Sequence, residues 1–134
     1  MRAFVLSALT FFVAEPALAQ CRQEPIEKFF PEFAASIAVQ ESRVSDMVFL
    51  GAMNPDAQPE PKLETVLVPK SEVVWPVVPN MTIFQRNGGT VQYAPVGGDK
   101  SEYLVTLKGD NGYLVSLSFV GPCWELRSIM NKSL

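Results

Sequence analysis

Residues Asn111 to Leu134 read NGYLVSLSFVGPCWELRSIMNKSL. Tyr113, Val115, Leu117 and Phe119 alternate with Leu114, Ser116, Ser118 and Val120, the period-two pattern of a β-strand. Gly121 and Pro122 turn the chain. Cys123, Glu125 and Arg127 then alternate with Trp124, Leu126 and Ser128, which predicts a second strand. Two such strands across a two-residue Gly-containing turn form an antiparallel hairpin, although Gly-Pro is not the favoured type I′ pair. The hairpin carries one of the two tryptophans and one of the two cysteines, so the core is expected to be built on it.

Upstream, Glu102 to Lys108 alternates with Tyr103, Val105 and Leu107 on one face, and Gly109-Asp110-Asn111-Gly112 turns it into the Tyr113 strand. Met81 to Arg86 and Thr90 to Ala94 flank Asn87-Gly88-Gly89, a hairpin signal in which Asn and Gly supply positive φ. Leu63 to Val68 is β-rich, and a strand is expected at Met47 to Leu50. Asn54 to Pro61 holds three prolines and two acidic residues and reads as a surface loop. Pro69-Lys70-Ser71-Glu72 suits one helical turn. The prolines of Trp75-Pro76-Val77-Val78-Pro79 exclude a regular helix or a central strand, and Trp75 is expected to plug one end of the core.

Pro25 to Val39 reads as helix, because Ile26, Phe30, Phe33, Ala34 and Ile37 share one face. Pro31 conflicts with an uninterrupted helix, so a kink or a second start is expected there. Gln40 to Asp46 suits a second short helix. Helices first and then a meander of about five strands predict an α+β fold, with the N-terminal helices packed on one face of a curved antiparallel sheet.

Residues 1–19 read as a cleaved signal peptide. Arg2 supplies the charge, Ala3 to Ala14 is apolar apart from Ser7 and Thr10, and Ala17-Leu18-Ala19 fits a small-x-small cleavage site. That run is too short to span a bilayer. The remaining chain, 20–134, is a single domain bound for the periplasm or secretion, with no integral membrane segment. Lipoprotein processing at Cys21, after Leu18-Ala19-Gln20, is the rival reading.

Composition removes whole classes of function. The chain of 134 residues is 48% hydrophobic and 19% charged, which argues against disorder. Its net charge of −3 argues against a nucleic-acid partner. It has no histidine, so His-based acid–base catalysis, Ser-His and Cys-His pairs and most zinc sites are removed. No metal or other cofactor is expected. The two cysteines, Cys21 and Cys123, form an even pair in an oxidising compartment and predict a disulfide.

The helical start with Phe30 and Phe33, followed by Val39-Gln40-Glu41-Ser42-Arg43-Val44, resembles small secreted bacterial domains of unknown function. The ending Gly112-Tyr113 … Phe119 … Cys123-Trp124-Glu125-Leu126 … Ser133-Leu134 resembles them too. In those domains the helical motif is roughly Phe-Gln-x-x-Arg-hydrophobic, and an aromatic strand is followed by Trp-x-Leu. Val39 stands here in place of the aromatic. They look like the cystatin-like cone of the nuclear-transport-factor-two-like superfamily. The resemblance implies that Gln40 and Arg43 lie near the concave side of the sheet.

Gln40, Arg43 and Trp75 are thus the candidate ligand-binding residues, and no catalytic residue stands out. A non-catalytic module binding an envelope protein or a small ligand is the first expectation. The alternative is a small-pocket enzyme using Asp46 or Glu102 as base, helped by Tyr103 or Arg43, since burial can raise a carboxylate's pKa enough for proton abstraction. A pocket with a buried, paired carboxylate would favour the enzyme. A sheet face filled by Phe and Leu would count against it.

Overall fold

The computed structural model describes residue 21 and residues 23–98 and 100–134. The leader expected over 1–19 lies outside the described residues. In chain order the elements are α1 (Ile26–Ala35), α2 (Ile37–Ser42), β1 (Val44–Asn54), β2 (Lys62–Pro69), α3 (Met81–Arg86), β3 (Thr90–Pro95), β4 (Glu102–Lys108), β5 (Leu114–Val120) and β6 (Glu125–Asn131). The expected helical turn after Pro69 is a 3₁₀ turn at Lys70–Glu72.

The architecture is α+β, but the expected cone of helices on about five antiparallel strands is corrected. The sheet has six strands in the order β2-β1-β6-β5-β4-β3, and it is mixed. Every neighbouring pair is antiparallel except β1 and β6, which run parallel. A parallel pair needs a long crossover between its strands. Here everything from β2 to β5 forms that crossover, so the pairing leaves no trace in local alternation.

Three local readings are corrected as well. Met81–Arg86 is helix rather than strand. Asn80 precedes it as N-cap, and the Ile83 N–H donates to its Oδ1 (3.1 Å). Six residues are too few for period to separate helix from strand. The strand at Met47 to Leu50 extends to Val44–Asn54. The turn after β5 spans Gly121 to Trp124, so β6 opens at Glu125 rather than Cys123.

A bulge shifts the phase of β6. Leu126 pairs with Phe119, yet Ser128 pairs with Ser118, which leaves Arg127 as the extra residue. An extra residue shifts the side-chain alternation by one. Leu126 and Ile129, three apart, therefore both reach the core side, opposite Phe119 and Leu117.

The core lies between α1 and this face of the sheet. Ile26, Phe29, Phe30 and Phe33 are buried at helical spacing. The rings of Phe29, Phe30 and Phe33 stand edge-on to Phe119 with centroids 5.6, 6.2 and 5.0 Å away. Such pairs add about 0.5–1.5 kcal/mol each beyond area burial. Val48, Val105, Leu107, Leu117 and Leu126 complete the layer. Pro31 sits inside α1 without breaking it. The carbonyl its missing N–H would have served belongs to Glu27, and both residues are exposed, so water can satisfy that group. The helix ends instead at Ser36, whose Oγ accepts from the Val39 N–H (3.3 Å) and caps α2.

The opposite face carries a different surface. Pairing aligns Leu67, Phe49, Ser128, Ser118 and Leu104 in one row, and Thr65, Gly51, Met130, Ser116 and Thr106 in the next. Ser118 and Ser128 hydrogen-bond at 2.6 Å, and Thr106 and Ser116 at 3.5 Å. At the β1–β2 end Met47, Phe49 and Leu67 are exposed. The Met130 sulfur lies where a Cβ on Gly51 would sit, so a larger residue there would have to displace the Met130 side chain.

The segment before α1 is fastened to the β5–β6 turn. Cys21 and Cys123 form the expected disulfide, with Cα atoms 5.6 Å apart. One residue on, Trp124 is buried in a left-handed backbone (φ 45°) that costs a bulky residue energy. Its Nε1–H donates to the Glu24 carbonyl (2.6 Å), and its ring stands perpendicular to Tyr103 at 5.5 Å.

Cys21→Ser and Cys123→Ser should destabilise the protein about equally, by up to about 4–5 kcal/mol for so long a loop. The double variant should lose no more than either single one in urea melts, and additive losses would refute a shared bond. Trp124→Ala should cost about 3–5 kcal/mol. Trp124→Gly should cost no more than that, because glycine suits the left-handed backbone. A loss below about 1 kcal/mol for either would show that the ring does not hold the loop.

Candidate functional site

Phe84 of α3 stands at the end of the sheet where two glycine turns meet. Asn87, Gly88 and Gly89 lead from α3 into β3, and Gly109 to Gly112 lead from β4 toward β5. A Cβ on Gly89 would lie 2.5 Å from the Phe84 ring, and one on Gly109 would lie 2.8 Å from it. The ring is thus seated between two backbones that only glycine lets come so close. Tyr113 packs beside it, with centroids 5.5 Å apart and planes at 59°. The β4–β5 loop is closed by Gly109 N–H to the Tyr113 carbonyl (3.0 Å) and Tyr113 N–H to the Asp110 carbonyl (3.2 Å). Asn111 at φ 59° and Gly112 at φ 76° supply its left-handed turn.

These elements enclose an open cleft of about 600 Å³. The rings of Phe84 and Tyr113, with Pro79 and Ile83, form its apolar part, and Asn80, Asn87, Asp110 and Asn111 form its polar rim. Asn80 Oδ1 is engaged in capping α3. The side chains of Asn87, Asp110 and Asn111 and the Tyr113 hydroxyl make no hydrogen bond within the described residues. Asp110 carries the only formal charge on the lining.

The three expected ligand-binding residues do not share this cleft. Gln40 is buried, and its Oε1 accepts from the Val77 N–H (3.0 Å). It fastens α2 to the proline-rich segment that holds Trp75, where the Trp75 ring, half-buried, packs against the core. Arg43 turns the other way. Its Nη1 donates to the Cys123 carbonyl (3.4 Å), and its own carbonyl accepts from the Leu126 N–H (2.7 Å). Gln40 and Arg43 therefore tie α2 to two loops. A smaller hollow of about 340 Å³ beside the disulfide is lined by Arg43 with Glu24, Lys28 and Glu32, a balanced set of charges.

Of the carboxylate candidates, Asp46 lies with Arg43, Lys70 and Glu125 around a hollow of about 290 Å³, and Glu102 lies elsewhere in β4. Asp46 has a side chain 94% exposed and pairs with Lys70 Nζ at 3.4 Å. Glu102 and Tyr103 are consecutive in β4 and so point to opposite faces, with Tyr103 on the Trp124 side. They cannot converge on one substrate atom. Among the described residues no group of three or more Asp, Glu, Cys or His is gathered to hold a metal.

Phe84 and Tyr113 went unrecognised in the sequence because α3 read as a strand. The usable signal was Asn80, an N-cap residue directly before a run with Met81 and Phe84 three apart.

Burial raises the Tyr113 phenol above its ordinary pKa of 10.0. Tyr93 on β3 is raised too, by burial first and then by the Glu27 carboxylate. The folded state thus keeps both protons to higher pH than the unfolded chain does. The stability from these groups is complete below pH 10.0 and is lost as pH rises beyond it. Urea midpoints should fall on moving above pH 10.0, and the Tyr93→Phe, Tyr113→Phe double variant should show a shallower fall. An unchanged slope in that variant would overturn the assignment.

No family model matches this chain, and no curated protein matches it.

Proposed function

We propose that this chain is a secreted, non-catalytic binding module that holds a small ligand in the cleft between α3 and the β4–β5 loop. The observation that carries the reading is the state of the sheet's inner face. Phe29, Phe30, Phe33, Phe119 and Leu117 fill it to exclusion of water, so no substrate cavity or buried carboxylate pair opens there. Several surface hollows fall in the ~300–1,000 Å³ range of small-ligand sites, among them one of about 520 Å³ beside Trp124. The α3 cleft of about 600 Å³ is distinguished by its paired aromatic rings. Its aromatic floor with a few converging polar groups is the usual make-up of such sites. Arg43 and Asp46 do share a hollow of about 290 Å³, but Asp46 is 94% exposed there and paired with Lys70, so it lacks the burial that would make it a base.

Secretion is part of the same reading. The disulfide supports it, because such bonds persist in oxidising compartments. The disulfide also competes with a lipid for the Cys21 sulfur, which favours the unlipidated form. Among the described residues no helix is long and apolar enough to cross a membrane. Kinship with the nuclear-transport-factor-two-like superfamily belongs to the proposal as well, supported by the aromatic α1 and the Cys123-Trp124-Glu125-Leu126 ending.

The test is to add the low-molecular-mass fraction of a periplasmic extract to ¹⁵N-labelled protein. Amide shifts should concentrate at Asn80 to Gly89 and Gly109 to Tyr113, and mass spectrometry should find the fraction's composition unchanged. Consumption of a component would establish an enzyme instead, and shifts elsewhere or none would remove the cleft from consideration.

A further inference from the structure

The cleft's chemistry narrows the ligand, an inference that rests on the small-ligand reading above. We propose that it binds a neutral saccharide, with a pyranose ring seated on the Phe84–Tyr113 wedge and its hydroxyls bonded to Asn87, Asp110, Asn111 and Tyr113.

Three properties of the lining lead to this class. First, its single formal charge is the Asp110 carboxylate. An anionic ligand would be repelled, and no Lys or Arg stands on the lining to offset that. Second, the polar groups are mixed donors and acceptors. Each carboxamide offers two N–H donors and an acceptor oxygen, the phenol offers both roles, and the carboxylate accepts twice. Sugar hydroxyls both donate and accept, so they can satisfy all of these at once. The Tyr113 phenol, with an ordinary pKa of 10.0 that burial raises, serves as a donor as well as an acceptor. Third, the apolar surface is aromatic. The C–H groups on one face of a pyranose carry partial positive charge, which suits the electron-rich face of a ring. The 59° tilt between Phe84 and Tyr113 leaves an angular seat rather than a flat shelf. A purely apolar ligand would leave any rim group it covered without a partner.

The site is also built to stay in place. Gly89 and Gly109 fix Phe84 from both sides, and the hydrogen-bonded β4–β5 loop fixes Tyr113 and Asn111. Little ordering is left to be done on binding, which preserves affinity for a ligand of modest size.

The competing chemistry is an ammonium ligand, which a carboxylate and two aromatic faces can also hold. It would use Asp110 and the rings but leave the carboxamides of Asn87 and Asn111 idle. The two chemistries therefore differ in which substitutions matter.

The experiment is a ¹⁵N NMR titration of the full mature chain with cellotriose and with chitotriose, repeated with trigalacturonate and with choline. At least one neutral trisaccharide should shift the amides of Phe84 to Gly89 and Gly109 to Tyr113, while trigalacturonate and choline should not. Asn111→Gly keeps the left-handed turn and removes the carboxamide, so it should weaken the trisaccharide about tenfold without lowering the melting temperature. Asn87→Ala should do the same. Choline shifting these amides while the trisaccharides do not would overturn the proposal, as would trisaccharide binding indifferent to both Asn variants. If the periplasmic fraction shifts the cleft but neither trisaccharide does, the saccharide assignment fails and the small-ligand reading survives. If neither shifts it, both fail.

Discussion

The parallel pairing of β1 with β6 is the constraint on which the rest of this structure depends. It joins a β1–β2 hairpin from the first half of the chain to the β3–β6 meander from the second. Without it the β1–β2 hairpin would stand alone, and an isolated two-stranded hairpin is marginal in water. With it, α1 has a wide floor on which to lay its phenylalanines, and α2 arrives with Arg43 beside the Cys123 loop. The disulfide and the Trp124–Glu24 hydrogen bond sit on the same seam between beginning and end. Three kinds of interaction thus repeat one long-range decision made by the backbone.

That decision was the part of the fold least visible in the residues. Alternation reported β4 and β5 well, because Tyr103, Val105 and Leu107 and then Val115, Leu117 and Phe119 are local patterns. The phenylalanine face of α1 and the Cys21–Cys123 bond were legible for equally plain reasons, helical spacing and an even cysteine count. Strand order is different, since nothing in β1 states whether its neighbour lies twenty or eighty residues away. The bulge at Arg127 hid the phase of β6, and the shortness of Met81–Arg86 hid a helix. Both were failures of period, each over a run of about seven residues.

The site follows the same division. Gln40 and Arg43 drew attention through the resemblance of the Val39 to Val44 stretch, and in the structure both bond to backbone and serve the fold. A buried Gln without a partner would be costly, and the Val77 N–H supplies the partner. The cleft residues looked ordinary, because Asn87, Asp110 and Asn111 belong to turns whose composition turn geometry already explains. Their additional capacity appears only when α3 brings Phe84 against the two glycine turns. A residue type suited to a turn is also suited to a ligand's hydroxyl, and only placement distinguishes the two uses.

The seam between the two ends has a consequence for how the molecule comes into being. A chain emerges N-terminus first, whether from a ribosome or through an export channel. Here β1 waits for β6, Glu24 waits for Trp124, and the Cys21 thiol waits for a partner 102 positions later. Almost the whole polypeptide must be out before any of these contacts can form, and contacts of such separation make folding slow. During that interval the first cysteine and the aromatic face of α1 are without their partners. The protein is therefore exposed to mispairing early, and these contacts form only once the Cys123 loop and β6 have emerged.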